Sequence, residues 1–542
     1  MKRCLPLFLR WFAIVSLVLV PIGAVAQERS DADKLLRAVN ANDILRTLRQ
    51  FQEVAERNND TRASGTPGYD LSADYVEKLL ARRGYTVTRQ AFEFPFFQEI
   101  GPAAFERISP DPRVYTAEEF GVKTFSGSGD VTAPITPVDV QIPPPAVPGS
   151  TSGCEAEDFA GFPAGNIALI QRGTCTFEQK AQNAVDAGAV AVIIFNEGQP
   201  GRTDPIVGTL GRPFDLPVIG TSFAIGEELY NLSQQGPVTV RVQATTISEF
   251  RTTENVIADS PWGSEDDVVV VGAHLDSVIE GPGINDNGSG TAAILEIALE
   301  LTKTEFEGEL QNKVRFAFWG AEELGLLGSA YYVNSLSEEE RAKISLYLNF
   351  DMVGSPNYVR FVYDGDDSDG VGAGPGPVGS AQIEDVFEEF FASRGLASEG
   401  TDFTGRSDYG PFIAVGIPAG GLFTGAEGIK TEEQAEVYGG VAGVPYDPCY
   451  HEPCDSLFPT FEFLNDEELE ELYRQVYDQL QEEYDLRGNV NVDALEEMSD
   501  AAAYTTLYFA QNDLIAVEGN MVGVQGIQTH ADHDHAGHHA VR

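Results

Sequence analysis

Positive charge is scarce in this sequence of 542 residues. Its 35 lysine and arginine residues are outnumbered by 84 aspartate and glutamate residues, so the formal net charge is -49 at pH 7. A chain this negative is repelled by the phosphates of nucleic acids and by anionic lipid surfaces. We therefore expect neither nucleic acid nor a membrane among its partners.

Long apolar runs are also missing, apart from residues 11–20 near the N-terminus. The basic residues Lys2 and Arg3 precede this run, and the small-residue segment Ala24-Val25-Ala26 follows it. That order is typical of a secretion signal, and the run is too short for a membrane anchor. We expect a secreted or periplasmic protein from which residues 1–26 are removed.

Cysteine is rare too. Of five cysteines, Cys4 belongs to the expected signal peptide, which leaves four in the mature chain. An even number of cysteines in an exported protein is typical of disulfides. We expect the local pairs Cys154–Cys175 and Cys449–Cys454, because each pair lies within one apparent module. The alternative, four free thiols in a reducing compartment, conflicts with the signal peptide.

Histidine is used sparingly. Only seven histidines occur, and five of them crowd the last 13 residues. That tail, residues 519–542, is expected to be a disordered polar extension or a loose metal-binding segment, with no catalytic part. The two others are His274 and His451. Their rarity favours a chemical role, since imidazole is a common ligand of metals.

The second half of the chain predicts an α/β domain. The β-branched run at residues 268–273 is typical of a strand covered on both faces, and helical spacing follows at residues 289–303. Further strands are predicted at residues 313–319 and 345–350, and a helix over residues 31–58 opens the same domain. Strands that alternate with helices predict a three-layer sandwich around a mixed, largely parallel sheet. Ligand side chains then belong at the C-terminal ends of the strands.

Residues 120–245 have a different character. Proline is dense at residues 134–148, the predicted strands are short, and a helix at residues 177–187 leads to an apolar strand at residues 191–195. This segment resembles the protease-associated domain, a smaller β-rich α+β module that is inserted into peptidases and is not itself catalytic. The expected units are the first part of the α/β domain (27–119), the inserted domain (120–245) and the remaining, larger part of the α/β domain (246–518).

Five short segments carry the residue types of a two-zinc hydrolase site, because two imidazoles and several carboxylates near strand ends form such a ligand set. They are His274-Leu275-Asp276, Asp286-Asn287-Gly288-Ser289-Gly290, Glu322-Glu323-Leu324-Gly325, Asn349-Phe350-Asp351 and Cys449-Tyr450-His451-Glu452-Pro453-Cys454-Asp455. Each segment alone is weak, since a lone histidine after a strand is more often structural. In this order they resemble the secreted co-catalytic di-zinc aminopeptidases of the leucyl aminopeptidase and aminopeptidase Y type.

The resemblance assigns the metal ligands. His274 and Asp351 would hold one zinc ion, Glu323 and His451 would hold the other, and Asp286 would bridge both. Neutral imidazole and carboxylate oxygen suit Zn²⁺, and a shared carboxylate can hold two cations ~3.5–4 Å apart. The implied cofactor is two zinc ions per chain.

The resemblance also assigns the residues around the metals. Glu322 would be the general base that takes a proton from a zinc-bridging water and passes it to the leaving amine. Tyr450 would donate a hydrogen bond to the oxyanion, and Arg406 would contact the substrate. Asp276 would accept the second ring N–H of His274 and fix its tautomer. The implied function is that of an exported, zinc-dependent aminopeptidase acting on peptides.

Two alternatives stay open on this reasoning. On the same fold, the protein would be a carboxypeptidase or a glutaminyl cyclase, and the cyclase type uses one zinc ion. In a different class, it would be a non-catalytic receptor built on a peptidase fold. Such proteins usually lose ligands, whereas this sequence keeps all five. Arg406 has an alternative of its own, as a surface residue in a glycine-rich loop.

Overall fold

The computed structural model describes residues 32–303, 308, 310–372 and 374–514. The expected signal peptide and the histidine-rich tail lie outside these residues. Within these ranges, no helix is both long and apolar enough to cross a membrane.

A first helix covers residues 32–38 and is left unnumbered, and the helices after it are numbered in chain order through the described ranges. They are α1 (Ala41–Glu56), α2 (Pro67–Arg82), α3 (Phe177–Asp186), α4 (Phe223–Ser233), α5 (Gly290–Leu301), α6 (Leu327–Ser335), α7 (Glu338–Arg341), α8 (Ser380–Arg394), α9 (Tyr409–Ala414), α10 (Glu432–Tyr438), α11 (Glu467–Glu483) and α12 (Val492–Gln511).

Strands are numbered in the same way. They are β1 (Thr86–Ser109), β2 (Arg113–Val114), β3 (Phe120–Val122), β4 (Gly129–Val138), β5 (Ile167–Gln171), β6 (Ala191–Phe195), β7 (Val218–Thr221), β8 (Thr239–Asp259), β9 (Ser264–His274), β10 (Asn312–Trp319), β11 (Ile344–Phe350), β12 (Phe361–Tyr363), β13 (Glu399–Thr401), β14 (Ala419–Phe423), β15 (Leu486–Arg487) and β16 (Val490–Asn491).

The larger half of the main sheet has the strand order β13-β12-β14-β11-β9-β10-β8, with β1 paired to β8. Strand β9 is parallel to both β10 and β11, and β11 is parallel to β14. Antiparallel pairs occur between β8 and β10, between β1 and β8, and between β12 and β14. The predicted mixed, largely parallel sheet is therefore confirmed.

Both faces of this sheet are covered, as β9 shows. Val269 and Val271 pack into the apolar cluster that includes α1, α5 and α12. Val268 and Val270 point to the opposite face and join the cluster that includes residues of α6 and α9. Successive side chains of a strand alternate between faces, so a continuous β-branched run is the pattern of a strand buried twice. The predicted three-layer sandwich is confirmed.

The predicted single helix over residues 31–58 is wrong in one respect. The structure has a helix over residues 32–38 and then the separate helix α1. Asn40 between them is extended, with φ of -153° and ψ of 149°, and its Oδ1 accepts the N–H of Asp43 at 3.2 Å. An asparagine side chain that satisfies the first backbone donors of a helix starts a new one, although the apolar spacing continues across it.

A long two-stranded ribbon leads from this sheet into the smaller half of the molecule, residues 100–245. The alternation of apolar and polar residues over 85–94 predicts a strand of that length. Strands β1 and β8 instead pair from Thr86↔Asp259 to Ser109↔Thr239, well past residue 94. The first part of β8 also pairs with β4 and so continues the order β8-β4-β5-β6-β7-β3. Helices α3 and α4 supply residues to two apolar clusters in this smaller half. These two clusters share no buried residue with the two clusters around β9.

Because the apolar clusters are separate, the larger half should fold without the smaller. We predict that replacing residues 100–245 with a two-residue Asn-Gly turn, which joins the register partners Glu99 and Thr246, yields a cooperatively folded protein. Circular dichroism should show a single melting transition only a few degrees below that of the full chain. A variant without cooperative melting would show that the ribbon needs the smaller half.

Candidate metal centre

Three neighbouring strand ends bring four of the sequence-predicted residues together. His274 is the last residue of β9, Glu322 and Glu323 follow β10, and Asp351 directly follows β11. Because β9 runs parallel to β10 and β11, the C-terminal ends of all three strands meet at one edge of the sheet. The placement follows from the general rule that ligand sites lie at the carboxyl ends of parallel strands.

Two loops complete the cluster. Asp286 lies in the tight turn at Ile284–Ser289 that leads into α5. His451 lies in the loop closed by the disulfide Cys449–Cys454, whose Cα atoms are 5.3 Å apart. The other expected disulfide, Cys154–Cys175, is also present, with its Cα atoms 5.8 Å apart.

The Asp286 carboxylate lies between the two imidazoles. His274 Nε2 is 3.2 Å from Asp286 Oδ1 and 3.3 Å from Asp351 Oδ1. His451 Nε2 is 3.3 Å from Asp286 Oδ2 and 3.0 Å from Glu323 Oε2. Each oxygen of Asp286 thus faces a different histidine, and each histidine faces one further carboxylate.

This donor set fits zinc. Imidazole nitrogen and carboxylate oxygen are both ordinary zinc ligands. The buried Glu323 Oε1 has no hydrogen-bond partner among the described residues, although buried carboxylate oxygens are normally paired. Ligand atoms of His274, Asp286 and Glu323 lie within 4.8 Å of one another, as do those of His274, Glu322 and Asp351. Each of these two groups, which share His274, has the composition of a possible metal site.

The surrounding carboxylates favour the charged form of both histidines. Burial would lower the pKa of His274, but the Glu322 and Asp351 carboxylates raise it well above its usual value. Burial would likewise lower the pKa of His451, but the Glu323 and Asp286 carboxylates raise it to about 11. Positive charge is thus stabilised at this edge of the sheet.

The carboxylates differ in how their charge is balanced. Burial raises the pKa of Glu322 well above its usual range, and it raises the pKa of Glu323 to about 7. Burial would also raise the pKa of Asp286, but hydrogen bonds from the two histidines lower it well below its usual range. The raised pKa of Glu322 suits a group that has to take up a proton.

Asp276 connects a predicted ligand to the predicted base. The Nδ1 atom of His274 lies 3.2 Å from the backbone oxygen of Asp276 and 3.7 Å from its Oδ1. Asp276 Oδ1 accepts the backbone N–H of Glu322 at 3.3 Å. The backbone carbonyl is thus the nearer acceptor for the ring, while the carboxylate orients the start of the Glu322-Glu323 segment.

Sequence reasoning assigned no role to two further side chains that hold the ligands. Ser407 Oγ donates to Asp351 Oδ2 at 2.5 Å. The Asp455 carboxylate accepts the backbone N–H groups of Asn285 and Asp286 at 2.8 and 2.9 Å. Asp455 ends the Cys449–Asp455 segment and Ser407 follows Arg406, so both lie beside predicted site residues, but only the fold reveals their partners.

Beside the predicted ligands, the backbone adopts conformations that residues other than glycine rarely take. Ala321, Met352 and His451 have φ values of 54°, 50° and 59°, in the left-handed region. Ala321 precedes Glu322, Met352 follows Asp351, and His451 is itself a predicted ligand. Such positions cost about 1–3 kcal/mol each and cluster at functional sites, where the surrounding fold enforces them.

Tyr450 and Arg406 form one hydrogen-bonded group at the mouth of the site. Arg406 donates to Glu427 Oε1 at 2.6 Å and to the Tyr450 hydroxyl at 3.2 Å. The Tyr450 ring stacks on the His451 ring with 3.8 Å between the centroids. The Arg406 side chain is 54% exposed, so it can reach a bound ligand from the rim.

A cavity of about 290 Å³ opens beside the predicted metal ligands. Beyond the carboxylates and histidines, its wall is rich in large side chains. These include Met352, Phe361, Tyr363, Tyr409, Phe423, Tyr446 and Tyr450. Such a wall suits an apolar group held close to the metal positions.

We predict that His451 is an imidazolium in protein stripped of metal by a chelator, at every pH up to about 11. A histidine with a raised folded-state pKa contributes stability that is full below its unfolded value of about 6.5 and is lost as the pH rises through its folded value. Ring-nitrogen chemical shifts from nuclear magnetic resonance should show no titration of His451 between pH 6 and pH 9. Titration near pH 6.5 would contradict the assigned environment.

Comparison with known proteins matches this chain to two families. A model described as peptidase family M28 matches residues 255–506, and one described as the PA domain matches residues 131–229. An aminopeptidase of Pseudomonas aeruginosa is 45% identical over 507 residues, which are 91% of this chain and 86% of that protein.

Solved structures give the same answer. An aminopeptidase from Aneurinibacillus sp. strain AM-1 aligns with a TM-score of 0.58 and 25% identity, over 90% of this chain and 98% of that one. The fold is also that of a zinc aminopeptidase from Bacillus subtilis, with a TM-score of 0.52 and 24% identity over 89% of this chain and 99% of that one. The chain therefore belongs to peptidase family M28, as an aminopeptidase with an inserted PA domain.

Proposed function

We propose that this protein is an exported di-zinc aminopeptidase that removes residues from the N-termini of peptides. The observation that carries the proposal is the Asp286 carboxylate, whose two oxygens face the Nε2 atoms of different histidines at 3.2 and 3.3 Å. A carboxylate placed in this way can be shared by two cations. The zinc aminopeptidase from Bacillus subtilis, which has the same fold, supports zinc as the metal.

The residues present would hold two zinc ions. His274 and Asp351 would bind one, Glu323 and His451 would bind the other, and Asp286 would bridge them. When bound, zinc supplies a Lewis acid that polarises a carbonyl and makes a water acidic near neutral pH. All five ligands are kept and converge at one place, which favours an enzyme over a non-catalytic relative of the fold.

Glu322 is the proposed general base. Its Oε2 lies 3.8 Å from His274 Nε2, beside the cluster, and its side chain lines the cavity. Burial raises its pKa well above the usual range, so the carboxylate readily takes a proton. The same group can then deliver that proton to the leaving amine.

Tyr450 is the proposed oxyanion donor. Its hydroxyl already accepts a hydrogen bond from Arg406 at 3.2 Å, which leaves its own proton free to donate into the cavity. Arg406 is in turn held by Glu427 at 2.6 Å. A donor held before substrate arrives loses little free energy to reorganisation, which is the basis of oxyanion stabilisation.

The lining of the cavity supports the proposal that the substrate is a peptide whose N-terminal residue is large and apolar. Glu322 and Asp351 give the metal positions acidic surroundings that favour a positively charged α-amino group. The aromatic wall around Phe361, Phe423 and Tyr446 would bury an apolar side chain.

Export and the division of labour between domains belong to the same proposal. Two disulfides suit an oxidising compartment and so support export, in which residues 1–26 would be removed as the signal peptide. We assign 27–119 and 246–518 to the peptidase and 120–245 to the inserted domain. Neither the insert nor residues 100–119 supply a proposed ligand, so the variant described above, which lacks residues 100–245, should keep its metal and its activity on a small aminoacyl amide.

The metal content tests the proposal directly. Elemental analysis of gently purified protein should find two zinc ions per chain, and chelation should abolish hydrolysis until zinc is restored. His451→Ala, which removes one proposed ligand, should reduce the content towards one. A wild-type content of one zinc ion would favour the cyclase-like alternative, and a content of none would remove the zinc proposal.

We predict that Glu322→Gln binds both zinc ions but loses most turnover. The amide is nearly the same size as the carboxylate but cannot take a proton. General acid–base catalysis contributes roughly 10²–10⁴-fold, so kcat should fall by at least that order while the zinc content stays constant. The matched control is Glu296→Gln in α5, another buried glutamate that is not among the residues lining the cavity, and this change should leave zinc binding and kcat close to wild type. Wild-type turnover of Glu322→Gln with two zinc ions bound would exclude Glu322 as the base.

We predict that a free α-amino group is required. Leucine amides should be cleaved rapidly, and the same amides with an N-acetyl group should react at least about 100-fold more slowly, because acetylation removes the positive charge that the acidic surroundings favour. Steady-state assays on matched free and blocked substrates measure this ratio. Equal rates would remove the aminopeptidase assignment and point to cleavage within chains.

A further inference from the structure

Arg62 is a fully buried arginine beneath the metal cluster, in the connection between α1 and α2. Its guanidinium donates three hydrogen bonds, all to backbone carbonyl oxygens. Nη1 donates to Leu275, Nε donates to Pro282 at 2.8 Å, and Nη2 donates to Gly283 at 2.5 Å. The group also lies over the Phe51 ring, 4.9 Å from its centroid.

These three carbonyls belong to the stretch of backbone that connects two proposed ligands, His274 and Asp286. Leu275 immediately follows His274, and Pro282 and Gly283 lie shortly before Asp286. One rigid guanidinium therefore joins the strand end that carries His274 to the turn that carries Asp286. Gly283 is shaped for this contact, because a Cβ atom there would lie 3.2 Å from Arg62 Nη2 and 2.3 Å from the Asp286 carbonyl oxygen.

The rest of the segment supports the same connection. The backbone N–H of Arg62 donates to Ser277 Oγ at 3.0 Å, and Thr61 Oγ1 donates to the Val278 carbonyl at 2.9 Å. Residues 61–62 thus hold several points of the chain between His274 and Asp286. None of these contacts reaches a proposed ligand side chain directly, so their effect on the metal centre acts through the backbone.

The charge of Arg62 also suits its place. Burial lowers its pKa to about 10, while Asp276, Asp455 and Asp286 oppose that shift, so the group stays charged at neutral pH. A lysine would keep the charge but could not present the planar fork of N–H donors that reaches three carbonyls at once. Geometry and charge therefore both select arginine.

We propose that Arg62 is a positioning residue for the metal centre, which sets the placement of His274 relative to Asp286 and so the affinity for zinc. This inference rests on the proposed two-zinc function. It assigns to Arg62 no contact with substrate or with metal.

The test compares full-length Arg62→Lys and Arg62→Met with wild-type protein. Chelator-stripped proteins are titrated with zinc against a chromophoric chelator, and Co²⁺ is added to separate samples to record its visible spectrum. Loss of residues that orient metal ligands typically weakens metal binding about 10–100-fold. Both variants should show a loss of that order and an altered Co²⁺ spectrum. Arg62→Lys, which keeps the charge and the stem, decides the question if Arg62→Met does not fold.

A matched control separates positioning from general stability. Arg107 is another buried arginine, remote from the site, whose Nε donates to the Asp111 carbonyl at 2.8 Å and which pairs with Glu228. Arg107→Met should lower the melting temperature yet leave zinc affinity and the Co²⁺ spectrum unchanged. In Arg62→Gly, added guanidinium at non-denaturing concentration should restore part of the zinc affinity, whereas urea should not.

The outcomes are distinguishable from failure of the proposed function. If wild-type protein binds no zinc, the two-zinc proposal fails and this inference falls with it. If wild-type protein binds two zinc ions and folded Arg62→Lys and Arg62→Met bind them equally tightly, only the role of Arg62 is overturned. The same holds if Arg107→Met loses as much zinc affinity as Arg62→Met.

Discussion

The crowding of buried carboxylates at one edge of the sheet is the constraint on which the functional part of this molecule depends. Asp286, Glu323 and Asp351 lie within about one hydrogen-bond length of two imidazoles, and Glu322 lies close beside them. Buried negative charge is costly unless cations balance it. The cluster is therefore a site that favours metal, and the fold has to provide enough rigidity to hold like charges together.

That rigidity comes from the backbone around the cluster. The parallel strands β9, β10 and β11 bring three segments to one edge, and their alternating side chains anchor them in apolar clusters on both faces. Ser407 donates a hydrogen bond to the Asp351 carboxylate, and Asp455 accepts the backbone N–H of Asp286. Arg62 donates to backbone carbonyls between His274 and Asp286. Left-handed residues beside the ligands are tolerated because so many contacts define the same local conformation.

Several parts of the fold could be predicted from local pattern. The β-branched run in β9 predicts a strand covered on both faces, since apolar side chains that point alternately to the two faces require both faces to be buried. The boundary before α1 could not be predicted from apolar spacing, because the spacing continues while the Asn40 side chain caps a new helix. The length of β1 was missed for a different reason. Its pairing with β8 spans more than a hundred residues of sequence, and local alternation carries no information about such a partner.

The sequence by itself determined the candidate ligands and the family, through the resemblance of its five ordered segments to the di-zinc aminopeptidases. That resemblance narrows the possible reactions before any fold is known, because residue type and order are properties of the sequence. Only the tertiary structure decided that Asp286 turns one oxygen to each imidazole, that the nearer acceptor for His274 is the backbone carbonyl of Asp276, and that Arg62 lies beneath both ligand segments. Those facts depend on distances between residues far apart in the chain, and packing alone sets such distances.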